Sequence, residues 1–86
     1  LHPGNYIEGK VGDKVHLWAE TNPAGARLTF GQEELEYDKS RGLYDYTMDR
    51  DGHGVTLQLK NKGSGIVYIE AGAPVSDAAM AVIVIN

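Results

Sequence analysis

The sequence predicts an all-β fold, a small antiparallel sandwich or barrel, and three observations carry that reading. Apolar residues alternate with period two wherever a window is long enough to show a period. Eleven glycines and three prolines break the chain before any long helix can form. The windows between them make about six or seven strands, at roughly 8–12-residue spacing with turn chemistry between.

In chain order, Val15, Leu17 and Ala19 face one way and His16, Trp18 and Glu20 the other, as in a half-buried strand. Asn22-Pro23-Ala24-Gly25 reads as a turn. Arg27–Phe30 is a short strand with Leu28 and Phe30 on one face. Gly31–Glu36 is acidic and reads as a brief strand or an irregular crossing. The helix formers of Gln32–Tyr37 make too short a run, too near Gly31, to nucleate alone. Leu43–Asp49 alternates with Tyr44, Tyr46 and Met48 sharing a side. Asp51-Gly52-His53-Gly54 is a hairpin turn, since Asp-Gly supports the positive φ of tight turns. Val55, Leu57 and Leu59 form the clearest alternating strand. Asn61–Gly65 is a loop, Ile66–Ala71 a strand and Gly72–Asp77 a turn region. Met80–Ile85 has β-branched residues on both faces, which fits burial between neighbours or an edge covered by something else, and an apolar edge there could pair with another chain.

Composition narrows the function classes. Eighty-six residues make one domain, and a chain this size buries only about 60–65% of its unfolded surface. A net charge of −4 argues against a phosphate-backbone footprint or an anionic-membrane binder. The longest apolar run, Ala78–Ile85, is far too short to span a bilayer. Zero cysteines exclude a disulfide, a thiolate metal site and a cysteine nucleophile. With no initiator Met and no signal pattern, residues 1–86 read as a single domain cut from a longer, multidomain chain.

From about Gly9 to Ile85 the order of strands resembles an immunoglobulin-like domain. Val11-Gly12-Asp13-Lys14-Val15-His16-Leu17 looks like the approach to the family's second strand, Gly54–Leu59 its fifth, and Gly63–Ile69 its sixth. Where antibody-like members carry two cysteines and a tryptophan, this chain has Ala19, Ile69 and Phe30. Val67 stands where the tyrosine two places before the second cysteine belongs. The resemblance is therefore to the cysteine-free bacterial and archaeal modules of surface proteins and secreted enzymes, with intracellular muscle-type domains the nearest rival. It implies an immunoglobulin-like antiparallel β-sandwich of about seven strands without a disulfide. It also implies a non-catalytic module, extracellular or at the cell surface, that spaces, adheres or binds protein. Expected partners are neighbouring domains and a protein or glycan ligand, with no nucleic acid, no membrane insertion and no cofactor. A carbohydrate-binding accessory domain of a secreted glycosidase is the alternative.

Asp49-Arg50-Asp51-Gly52-His53-Gly54 has the look of half a calcium loop, with Asp49 and Asp51 as weak ligands. The position of the bidentate Glu is Lys60, and His53 is a poor ligand for a hard cation, so a polar hairpin turn accounts for the motif better. His2, His16 and His53 lack zinc spacing. Ser40, Ser64 and Ser76 sit in no nucleophile elbow, and the carboxylates of Glu33–Asp51 read as a solvated face, so no catalytic residue is assigned.

The binding candidates are Trp18, His16 and Tyr37, with the acidic segment Gln32–Asp38. If Val15, Leu17 and Ala19 fill the core, period two puts Trp18 and His16 outside, where an indole marks a contact. A one-residue slip at a bulge would turn both inward. Cover by the segment around Tyr6 and Ile7 is the third account. Tyr44 and Tyr46 read as core-edge residues.

Overall fold

The alternating windows become strands in two layers. The computed structural model describes residues 5–19, 28–72 and 77–86. Seven strands and one helix lie among them: β1 (Asn5–Gly9), β2 (Lys14–Trp18), β3 (Leu28–Phe30), α1 (Gln32–Ser40), β4 (Tyr44–Met48), β5 (Gly54–Leu59), β6 (Gly63–Ala71) and β7 (Asp77–Ile85). One sheet has the order β1-β7-β6-β3 and the other β2-β5-β4. Val67, Ile69, Ile83 and Ile85 of the first meet Leu17, Tyr44, Val55, Leu57 and Leu59 of the second in one buried cluster. The fold is thus mostly β, with the core between two sheets. The turns read at Asn22–Gly25 and within Gly72–Asp77 fall outside the described residues.

The strand reading holds for β2, β3, β4 and β5, because each has one apolar row to bury and one polar row to solvate. Leu17 and Ala19 are buried while His16 and Trp18 are exposed. The β4–β5 hairpin closes where Asp-Gly predicts it. Gly52 has φ of 77°, its N–H bonds to the Asp49 carbonyl, and Asp51 accepts from the His53 N–H. Strand β6 starts at Gly63, inside the segment read as a loop, because Gly63 and Ser64 pair with Ile85 and Val84.

Three expectations are corrected or narrowed. Of the alternatives for Met80–Ile85, burial between neighbours holds and the edge does not: β7 lies between β1 and β6. The sheets are not wholly antiparallel. The segment around Tyr6 and Ile7 forms β1, which pairs in parallel with β7, Asn5 opposite Ala81 through Gly9 opposite Ile85. It therefore joins the sheet that does not contain Trp18.

The third correction is α1, in place of a strand or an irregular crossing. It has only nine residues and no side-chain N-cap, but its charges and its C-terminal end favour it. Glu33 and Glu34 lie in the first turn and Lys39 in the last, complementing the helix dipole. At the other end Gly42 takes φ of 77°, its N–H bonds to the Lys39 carbonyl and the Leu43 N–H to the Asp38 carbonyl, a Schellman motif. Tertiary contacts supply what local propensity lacks. Leu35 is fully buried in the core cluster. The Tyr44 hydroxyl donates to Asp38 Oδ2 at 2.7 Å, and the Tyr46 hydroxyl donates to Glu36. Alternate residues of β4 thus hold alternate residues of the helix.

Asp38 is 3% exposed, with the Arg41 guanidinium 3.7 Å from its Oδ1. Its carboxylate rests on β6 at Gly65. A β-carbon there would collide with all three carboxyl atoms, at 2.8 Å even from the farthest. Gly65→Ala is therefore expected to cost about 1–3 kcal/mol by overpacking, measured by urea denaturation. A stability within error of wild type would show that the helix does not depend on this seat.

Burial, and then the hydrogen bond to Asp38, push the Tyr44 phenol well above its ordinary value. The unfolded phenol ionises near pH 10, so the stability from this difference is complete below that pH. It is lost as the pH rises beyond it. Tyr44→Phe should cost about 1–3 kcal/mol at neutral pH, by depriving a buried carboxylate of a donor. It should also flatten the alkaline decline in denaturation midpoints measured from about pH 9 to 12. An unchanged alkaline slope would assign the decline to other groups.

Candidate functional site on the three-stranded sheet

The outer face of β2-β5-β4 is built in cross-strand rows. Lys14 lies opposite Gln58 and then Asp45; His16 opposite Thr56 and then Thr47; Trp18 opposite Gly54, whose carbonyl accepts from the Asp49 N–H. Trp18 is 60% exposed, which settles the three accounts of it in favour of the outward one. Its indole lies over the His16 ring, with centroids 5.7 Å apart and planes within 16°. His16 in turn reaches Asp49, Nε2 to Oδ2, at 2.8 Å. An ionised carboxylate only accepts, so Nε2 carries the hydrogen.

That bond crosses β5 directly over Gly54. A β-carbon at Gly54 would stand 2.9 Å from His16 Nε2 and 2.9 Å from Asp49 Cγ, closer than packed atoms allow. The second glycine of the turn motif thus provides space, whereas the first provides a positive φ. The outcome is an exposed aromatic side chain whose neighbour is held by a hydrogen bond, so the ring pair is largely oriented before any ligand arrives.

Around it the face is polar. Lys60 Nζ lies 2.8 Å from Asp45 Oδ2, and this hydrogen-bonded ammonium holds the Asp45 carboxyl below its ordinary range. Asp49, Arg50 and Asp51 line an open cleft of about 480 Å³ beside the stack. Both weak calcium candidates already serve protein groups: Asp49 accepts from His16, and Asp51 from the His53 N–H. No group of three or more His, Asp or Glu side chains suited to a metal ion occurs among the described residues. A His–Asp pair is also the orienting half of a nucleophilic triad. Here no hydroxyl hydrogen-bonds to His16 among the described residues, and one face of its ring is stacked on the indole.

Tyr37 is not brought to this face. It is 62% exposed on α1 with the Arg41 guanidinium 5.3 Å from its ring centre. It borders a separate groove of about 290 Å³ between the helix and the four-stranded sheet, floored by Ile66 and Val82. Of the acidic segment beside it, Asp38 is a buried structural group and Glu36 holds Tyr46, so the segment is not simply a solvated face. The His16–Asp49 link is the feature that sequence reasoning missed. Its one local signal was a glycine at 54 that the turn geometry did not require.

No helix among the described residues is long and apolar enough to cross a membrane. Compared with known proteins, the chain matches no family model, no curated protein and no solved structure.

Gly54→Ala is expected to break the His16–Asp49 bond without disturbing the hairpin φ angles. The measurement is the Nε2–H signal of His16 in long-range nitrogen–proton spectra, which should lose its hydrogen-bonded shift, accompanied by a change in Trp18 fluorescence. Retention of both signals would show that the pair does not need the space over Gly54.

Proposed function

We propose that the chain is a non-catalytic immunoglobulin-like module of a multidomain extracellular or cell-surface protein, and that it holds a partner on the open face of its three-stranded sheet. The single observation that carries the binding role is Trp18. It is exposed on an otherwise polar face and oriented through His16 by Asp49. An apolar ring is costly in water, and this one has a built support, so a contact surface accounts for it better than chance exposure does.

Two features favour the immunoglobulin-like part of the reading. Strands β2, β5 and β4 make one sheet while β3, β6 and β7 share the other, the partition of the B, E, D and C, F, G strands in that fold. Ala19, Ile69 and Phe30, which stand at the places of the family's cysteines and tryptophan, are all buried in the shared core, with Phe30 paired to Ile69 across β3 and β6. The spacer role is favoured by the parallel pairing of β1 with β7. Parallel pairing puts the start of β1 and the end of β7 at opposite ends of that strand pair, a geometry suited to a module strung in series.

On an array of extracellular-matrix proteins and glycans, the wild-type domain is expected to be retained by at least one component. Retention should fall at least about tenfold for Trp18→Ala, the scale of a central aromatic contact, and stay unchanged for Tyr37→Ala. Retention indifferent to Trp18→Ala, or none at all, counts against this assignment of the face.

A further inference from the structure

Resting on the reading that this face binds a partner, we infer that its ligand is a neutral oligosaccharide, laid across the three strands with one pyranose ring against the Trp18 indole. Charge is the first ground. The whole chain carries −4, yet among the described residues this face mixes both signs. Lys14, Arg50 and Lys60 lie among Asp45, Asp49 and Asp51. A polyanion or a strongly basic peptide would find no complementary field here, whereas an uncharged polyol meets no repulsion.

The polar groups are of the right kind. A sugar hydroxyl both donates and accepts, so it needs donors and acceptors close together. Thr56 and Thr47 follow His16 across the middle row, and each hydroxyl can do either. Arg50 lines the cleft with Asp49 and Asp51, and its guanidinium has no hydrogen bond or ion pair to any described residue. This is a set of donors and acceptors of both charge signs beside an exposed aromatic ring.

Shape is the third ground. The aliphatic C–H face of a pyranose is flat and fits an indole, with hydroxyls left pointing sideways to polar groups. The cleft at Asp49–Asp51 is open, so it suits an extended chain of sugar rings passing over it better than a single enclosed monosaccharide. His16 and Asp49 are positioning residues here, because they hold the indole and are not themselves assigned to the sugar.

The test is a two-dimensional amide titration of the 86-residue domain. Its arms are neutral β- and α-linked gluco-, manno-, xylo- and N-acetylglucosamine oligosaccharides, a polygalacturonate, a heparin fragment and an oligolysine peptide. The expected result is a saturable shift of the Trp18 indole N–H and of the amides of His16–Ala19 and Asp49–Gly54 with at least one neutral oligosaccharide. Trp18→Ala should weaken binding at least about tenfold, with amide dispersion unchanged, and Asp49→Ala should weaken it less. Shifts at this face with only the charged ligands would overturn the saccharide inference and leave the binding face standing. No response at this face to any ligand, or responses confined to Tyr37 and Arg41, would overturn both.

Discussion

A carboxylate taken out of water beneath a short helix organises one side of this domain. Asp38 is buried, and a buried charge is tolerated only when its oxygens are satisfied. Tyr44 supplies a hydroxyl, Arg41 a nearby guanidinium, and Gly65 the room for all of it on β6. Each partner comes from a different element. The helix, the edge strand of one sheet and an inner strand of the other are thus locked by one group, and Leu35 completes the joint with apolar contact. The helix has little amphipathic pattern of its own; it exists because these tertiary partners make it worth forming.

The outer face of the three-stranded sheet uses the same device for a different end. In both places a glycine within a strand removes a β-carbon so that a carboxylate bonded to a ring-bearing side chain can lie against the backbone. At Gly65 the carboxylate is sealed in and serves stability. At Gly54 it stays half-exposed and serves orientation, fixing His16 and, through stacking, Trp18. The function proposed rests physically on that oriented indole, set among polar groups of both charge signs.

Much of the fold was legible because its strands obey one simple constraint. Residues such as Val55, Leu57 and Leu59 have to bury one face, so their period shows the strand and its orientation, and the same logic offered an outward Trp18 and His16 as one of three accounts. The Asp-Gly turn was legible for a local reason as well, since backbone sterics at Gly52 depend on few neighbours. The helix was not. Its acidic start and Gly42 finish were present, yet nine residues are too few for local energies to decide. Nor was β1, whose pairing with β7 joins segments about seventy-five residues apart in the chain.

The sequence by itself determined the β class, the single small core and the hairpin at Asp51–Gly54, and narrowed Trp18 to three placements. These follow from periodicity and backbone sterics that act over a few residues. The tertiary structure alone decided that α1 forms, that β7 lies inside its sheet, and that Asp49 is a partner for His16. Each of those depends on register between strands distant in the chain. Register is set by which buried faces meet and where a missing side chain leaves room, neither of which is visible along one strand.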